Sequence, residues 1–164
     1  MKANYTIPYK RKKQGRTNYK KRLALLKSRE TRLVIRKTNT QIIIQFTNYK
    51  PDGDEVIVSY NSSKLKEDGW KDSYKNLPSA YLAGYKAGLL AQKKGVKKAV
   101  LDTGLQIHKK GNRIYSAVKG IVDSGLKIPV DEKVYPKEER VKGEHISKEY
   151  PVLFEKTMKK ISKG

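Results

Sequence analysis

Three groups of residues in this chain could do chemistry. The first is Val100–Gly104, "VLDTG", where two apolar residues precede Asp-Thr-Gly. An aspartic protease uses such a motif twice, because two carboxylates must share one proton to act as base and acid. This chain has one copy, so a protease would need a second chain to complete it. The other reading places Asp102 at a strand end before a tight turn made by Gly104. The second group is Asp102 and Asp123, acids of the kind that hold divalent metal in a nuclease. Asp102 stands nearly alone, and Asp123 falls on a helix without a companion. The two histidines, His108 and His145, lie far apart in polar segments and read as surface residues, with no metal-ligand neighbour at helical or hairpin spacing. Neither glycine-rich phosphate-cradling signature occurs. No metal or cofactor is expected.

The third group is Lys10–Arg22, "KRKKQGRTNYKKR", with eight cations in 13 residues and no acid. Each phosphate that a cation contacts releases counterions, so such a surface binds nucleic acid with steep salt dependence. Thr17, Asn18 and Tyr19 add hydroxyl, amide and stacking capacity among the cations. RNA offers unstacked bases and 2′-hydroxyls to such groups.

The whole chain supports this third chemistry. Its 164 residues suit one domain with a tail or two, and 37% hydrophobic content suffices for one core. Lys and Arg number 38 against 16 acids, a formal charge of +22. Self-repulsion of that size weakens a compact state, so the charge is a statement about partners. The imbalance is concentrated: residues 1–51 hold 15 of the cations and one acid, Glu30. Without cysteine, thiolate chemistry and disulfides are excluded. No apolar run approaches the roughly 20 residues of a spanning helix, and the N-terminus lacks an apolar signal region. A membrane-surface helix would need a broader apolar face than Tyr19, Leu23 and Leu26 provide. Neither a membrane nor a small-molecule substrate is expected as partner.

These residues must be positioned by ordinary elements. Residues 1–16 read as a basic extended arm. Thr17 is a candidate N-cap for a helix through "NYKKRLALLKSR", docked by the stripe of Tyr19, Leu23 and Leu26. "TRLVIRKTN", "TQIIIQFTNY" and "EVIVSYNSS" read as three strands of an antiparallel meander, the first two joined by a turn at Arg36–Asn39. "SAYLAGYKAGLLAQKKG" is a helix with Pro78 in its first turn, and its small residues suit close packing on a sheet. "KKAVLDTG" is a fourth strand, "GNRIYSAVKGIVDSG" a second core helix and "LKIP" a short fifth strand. The final helix, "PVLFEKTMKKISKG", gathers Leu153, Phe154, Met158 and Ile161 on one side. The expected fold is α/β: a mixed sheet beginning with a three-strand antiparallel meander, helices on both faces, in an order that resembles the ribonuclease-H-like layout. The organisation is an arm at 1–16, an α/β RNA-binding domain at 17–130, and an irregular segment with a C-terminal helix packing on the domain at 131–164.

"KRKKQGRTNYKKRLALLKSRETRLVIRKTNTQIIIQ" closely resembles the opening of the archaeal-type large-subunit ribosomal protein eighteen, whose eukaryotic relative is numbered five. "GWKDSYKNLPSAYLAGYKAGLLAQKKGVKKAVLDTGL" resembles the middle of that family and "IPVDEKVYPKEERVKGEHI" its later portion. The resemblance implies a non-catalytic ribonuclease-H-like domain, a structural constituent of the cytoplasmic large ribosomal subunit. It implies binding to 5S rRNA and attachment of that RNA to large-subunit rRNA in the central protuberance, beside neighbouring large-subunit ribosomal proteins. The alternative is a ribonuclease-H-like, metal-dependent nuclease acting on RNA. Carried onto this sequence, the resemblance implies phosphate contacts from Arg11, Lys12, Lys13, Arg16, Lys20 and Arg22. It implies hydrogen bonds or stacking from Thr17, Asn18 and Tyr19. Arg32, Arg36, Lys37 and Asn39 extend that surface, with Tyr60, Asn61 and Ser62 as outlying candidates.

Overall fold

The structure, a computed structural model, describes residues 6–163. Two short helices lead the chain: α1 (Lys10–Lys13) and α2 (Tyr19–Leu26). Strands β1 (Arg32–Lys37), β2 (Ile42–Asn48) and β3 (Glu55–Asn61) follow as an antiparallel meander. Helix α3 (Leu77–Lys93) then crosses to β4 (Val100–Asp102), which runs parallel to β1. The result is one open mixed sheet of four strands in the order β3-β2-β1-β4. Helices α4 (Arg113–Asp123), α5 (Glu138–Lys142) and α6 (Tyr150–Lys163) complete the chain.

Period-two alternation decides which sheet face is dry. Leu33 and Ile35 of β1 stand opposite Phe46 and Ile44 of β2, and all four are fully buried. Burying each such side chain contributes about 1.5–3 kcal/mol. Helices α3 and α4 cover this face. The other face carries Arg32, Arg36, Gln45 and Asp102.

Four features depart from the sequence expectation. The first turn is Thr38–Gln41, not Arg36–Asn39, because the Thr38 hydroxyl accepts from the Gln41 amide at 3.0 Å and donates to its carbonyl at 2.8 Å. That local turn lets β1 run on to Lys37. The glycines of α3, Gly84 and Gly88, serve another helix rather than the sheet. A Cβ on Gly84 would lie 2.1 Å from the Ala117 carbonyl oxygen of α4, and one on Gly120 2.2 Å from that of Tyr81. "LKIP" contributes one parallel bridge, Lys98 to Lys127, not a strand. The segment after residue 130 is less irregular than expected, since α5 forms there and buries Val141. The C-terminal helix does pack as its stripe requires. The Phe154 ring lies 5.5 Å from the Tyr81 ring, and Ile161 is fully buried.

Candidate nucleic-acid interface

Residues 1–5 of the expected arm lie outside the described residues. The described part of the arm is not extended throughout. Lys10–Lys13 close one helical turn, with the Lys12 and Lys13 amides both donating to the Tyr9 carbonyl. The chain then folds back on itself, and Arg11 Nε donates to Thr17 Oγ1 at 2.9 Å. Thr17 is therefore not the cap of α2. Asn18 is: its Oδ1 accepts from the Lys21 amide at 3.0 Å. An N-cap oxygen satisfies a helix-start amide that would otherwise lack a partner. Tyr19 opens the helix with its ring 5.1 Å from that of Tyr9.

The apolar stripe does not dock α2. No residue of the helix is fully buried, and Leu23 is 58% exposed. Cations hold it instead. Lys21 Nζ donates to the Gly104 carbonyl at 3.2 Å and to Thr103 Oγ1 at 3.3 Å, beside His108 Nε2. Arg22 donates to both carboxylate oxygens of Asp54 at 3.0 Å. The helix thus turns Lys21, Arg22 and Leu25 inward and leaves Leu23 outside.

From Asp54 an ionic chain runs along β1. Arg32 meets Asp54 on one side as an ion pair off hydrogen-bond geometry. On the other side it meets Asp102 Oδ2 at 3.2 Å. Arg36 takes Asp102 Oδ1 at 3.1 Å and the Asp102 carbonyl at 2.6 Å. Arg32 is only 2% exposed. A guanidinium so far from water is held by its flanking carboxylates, and removing one partner would leave a buried charge uncompensated. Burial pushes the Asp54 carboxyl upward, but hydrogen bonds and charge from Arg32 and Arg22 outweigh it, so its pKa is held below the ordinary 3.8.

Asp102 is therefore a structural acid. Its Oδ1 also accepts from the Gly104 amide at 2.8 Å, closing the turn, where Gly104 adopts φ +61°. Asp123 accepts from the Tyr81 hydroxyl at 2.7 Å. Among the described residues no three His, Asp or Glu side chains gather to hold a metal.

Between the folded-back arm, α2 and the loop after β4 lies a cleft of about 320 Å³. Arg11, Arg16, Lys21, Arg22 and Arg36 line it together with Thr17, Asn18, Leu105 and Gln106, and so does Asp102, which is paired with Arg32 and Arg36. Lys12, Lys13 and Lys20 are exposed beside it. Among the described residues Arg11, Lys12, Lys13, Arg16 and Lys20 have no salt-bridge partner. Lys37 joins this surface because Gln106 Nε2 donates to its carbonyl at 3.3 Å. Asn39 is exposed on the adjoining hairpin.

The remaining candidates do not join the cleft. Arg32 is enclosed by its two acids. Tyr60 is 5% exposed and donates to Asp68 at 3.3 Å; burial first, then Asp68, raises its pKa and keeps it protonated. Ser62 is fully buried, accepting from the Ile42 amide and donating to the Tyr74 carbonyl. Asn61 is half-buried beside them. Conversely, Leu105 and Gln106 line the cleft and His108 bonds to Lys21 beside it, although no contact was expected of them, and Lys21 lies in the cationic run without having been singled out. His108 joins Thr103 (3.0 Å) to the Tyr115 hydroxyl (2.9 Å) and so pins the loop. Its signal in the sequence is only the basic loop "HKKGNR" that follows the Asp-Thr-Gly turn.

Comparison with known proteins bears on this surface. The model of a family described as "Ribosomal large subunit proteins 60S L5, and 50S L18" matches residues 3–98 and 85–131. The large ribosomal subunit protein uL18 of Korarchaeum cryptofilum is 48% identical over 145 residues, which is 88% of this chain and 74% of the relative. Its counterpart in Sulfurisphaera tokodaii is 44% identical over 165 residues, 96% of this chain and 84% of the relative. That of Thermofilum pendens is 44% identical over 153 residues, 93% and 78% respectively.

Proposed function

The chain belongs to the family of large-subunit ribosomal proteins 60S L5 and 50S L18, and from that premise we propose that it binds 5S rRNA and helps attach it to large-subunit rRNA in the central protuberance. Membership makes it a structural constituent of the cytoplasmic large ribosomal subunit and not an enzyme. The observation that carries the finer reading is the cationic cleft. Among the described residues five cations of the arm and α2 stay free of acids in a fold that pairs Arg22, Arg32 and Arg36 internally. A phosphate backbone supplies the missing counter-charge. The arm, the α2 start and the β1–β2 hairpin then act as one RNA surface, with Arg11, Lys12, Lys13, Arg16, Thr17, Asn18, Tyr19, Lys20, Lys37 and Asn39 as its contacts. Arg22 and Arg36 line the same cleft with their charge already paired to Asp54 and Asp102. The non-catalytic ribonuclease-H-like layout fits the strand order, and the acids it would need for cleavage are committed to Arg32, Arg36 and Tyr81.

Titration with 5S rRNA and with an unrelated structured RNA of equal length, at several salt concentrations, tests this reading. The 5S species is expected to bind more tightly at every salt concentration, with a steep salt slope for both. Equal affinity for the two RNAs would overturn the 5S assignment.

A further inference from the structure

The sheet ends at β4 on a ladder that stops short. Lys127 opens a parallel pairing beside it: the Lys127 amide donates to the Lys97 carbonyl at 3.2 Å, and the Ala99 amide donates to the Lys127 carbonyl at 3.1 Å. The next donor in that register is residue 129, a proline without an N–H. The chain leaves the sheet there in a tight turn, the Val130 amide donating to the Ile128 carbonyl at 2.9 Å. On the other side, the Val100 amide donates to the Thr31 carbonyl at 2.9 Å, next to β1. Backbone alternation therefore turns the Ala99 carbonyl and the Leu101 amide away from β1, and among the described residues no hydrogen bond meets either. We propose that this open edge seats a short extended segment of an acidic protein partner, which continues the sheet where Pro129 ends it.

Three observations select that occupant. The first is the free backbone pair. One residue of an extended peptide carries the amide and the carbonyl that the Ala99 carbonyl and the Leu101 amide lack, and strand addition at a sheet edge works this way. A phosphate carries acceptors only, so it has nothing for the Ala99 carbonyl. The second is the apolar ground beside that pair. A cleft of about 670 Å³ is lined by Val100, Val122, Leu126, Ile128 and Pro129. Leu126 is buried, but Val100, Val122 and Ile128 keep part of their surface open, which suits an aliphatic side chain of the incoming strand. The third is charge. Lys97 and Lys127 are exposed and, among the described residues, have no salt-bridge partner. The acid in the cleft lining, Glu30, pairs with Lys98. The unmatched charge is therefore positive, which calls for acids flanking the apolar residue of the partner and disfavours a second copy of this chain at +22. This surface is separate from the cationic cleft, and the proposal stands apart from the RNA-binding reading.

The test uses the full chain and a blocked heptapeptide, Asp-Glu-Val-Ile-Val-Asp-Glu, followed by amide hydrogen exchange and by titration. In the free chain the Leu101 amide is expected to exchange at least about tenfold faster than the Val100 amide, and to slow by a similar factor once the peptide saturates. N-methylation of the three central peptide amides removes the donor for the Ala99 carbonyl and is expected to weaken binding about tenfold. A peptide with lysine in place of its four acids is expected not to bind. Lys97→Gln with Lys127→Gln changes two exposed side chains and is expected to weaken the acidic peptide several-fold while leaving the affinity for 5S rRNA in place. No binding of the acidic peptide, or equal binding of its N-methylated form, would overturn the proposal. Protection of the Leu101 amide by 5S rRNA and not by the peptide would give the edge to nucleic acid instead. Peptide binding by a chain that does not prefer 5S rRNA would sustain the edge site and sink only the RNA reading.

Discussion

Arg32 and Arg16 carry the same guanidinium, and the fold uses them in opposite ways. Arg32 lies 2% exposed between Asp54 and Asp102, while Arg16 lines a cleft and, among the described residues, pairs with no carboxylate. The difference teaches that a basic run divides according to where the fold delivers its few acids. Glu30 is the one acid before Asp52. Asp54 and Asp102 therefore reach back from later in the chain, and they neutralise Arg22, Arg32 and Arg36 only. Cations beyond their reach stay available to a partner.

Removing the paired guanidinium should do the most damage. Arg32→Ala is expected to cost about 3–5 kcal/mol of folding stability, because it strands two carboxylates without their shared partner. Arg16→Ala is expected to stay within about 0.5 kcal/mol of wild type. Chemical denaturation of both variants reads the contrast directly, and equal stabilities would erase it. On the open side, alanine at Arg11, Arg16 and Lys20 together should leave the midpoint of unfolding in place. The slope of log affinity against log salt should flatten by about 0.7–0.9 for each phosphate that is no longer neutralised. An unchanged slope would mean that these cations are merely solvated.

Acid titration sharpens the comparison from the paired side. Asp54 has a lower pKa folded than its ordinary 3.8, so it binds fewer protons in the native state than in the unfolded one. Its contribution is fully present above that ordinary value and is lost as pH falls through the folded value. Stability measured from pH 5 downward should therefore drop more steeply in wild type than in Asp54→Asn. Parallel curves would show that Asp54 gives nothing to the ionic chain. Among the buried polar groups the smallest effect is expected at Tyr60. Tyr60→Phe removes one hydrogen bond to Asp68, worth about 0.5–1.5 kcal/mol. RNA affinity should not move, because the hydroxyl is turned into the fold.

The sheet is legible in the sequence because Leu33, Ile35, Ile44 and Phe46 alternate and share one face. The basic front end is legible too, since charge density needs no three-dimensional information. Tertiary placement decides what stays concealed. Leu23 and Leu26 form a helical stripe with Tyr19, yet α2 is held by Lys21 and Arg22 through partners distant in the chain. Arg32 reads as a surface cation because strand alternation puts it opposite the apolar face; only the approach of Asp54 and Asp102 shows that this side is partly closed. The small residues of α3 announce close packing, but not whether a sheet or a helix fills the gap. Asp102, the residue with the strongest catalytic look, is the counter-ion that orders β1 against β4.

Lysine acetylation of the chain alone and in complex with 5S rRNA measures the division between spent and available cations most directly. Lys12, Lys13 and Lys20 should react readily in the free chain and become protected in the complex. Unchanged reactivity of all three upon saturation with RNA would contradict the assignment of this cleft to RNA.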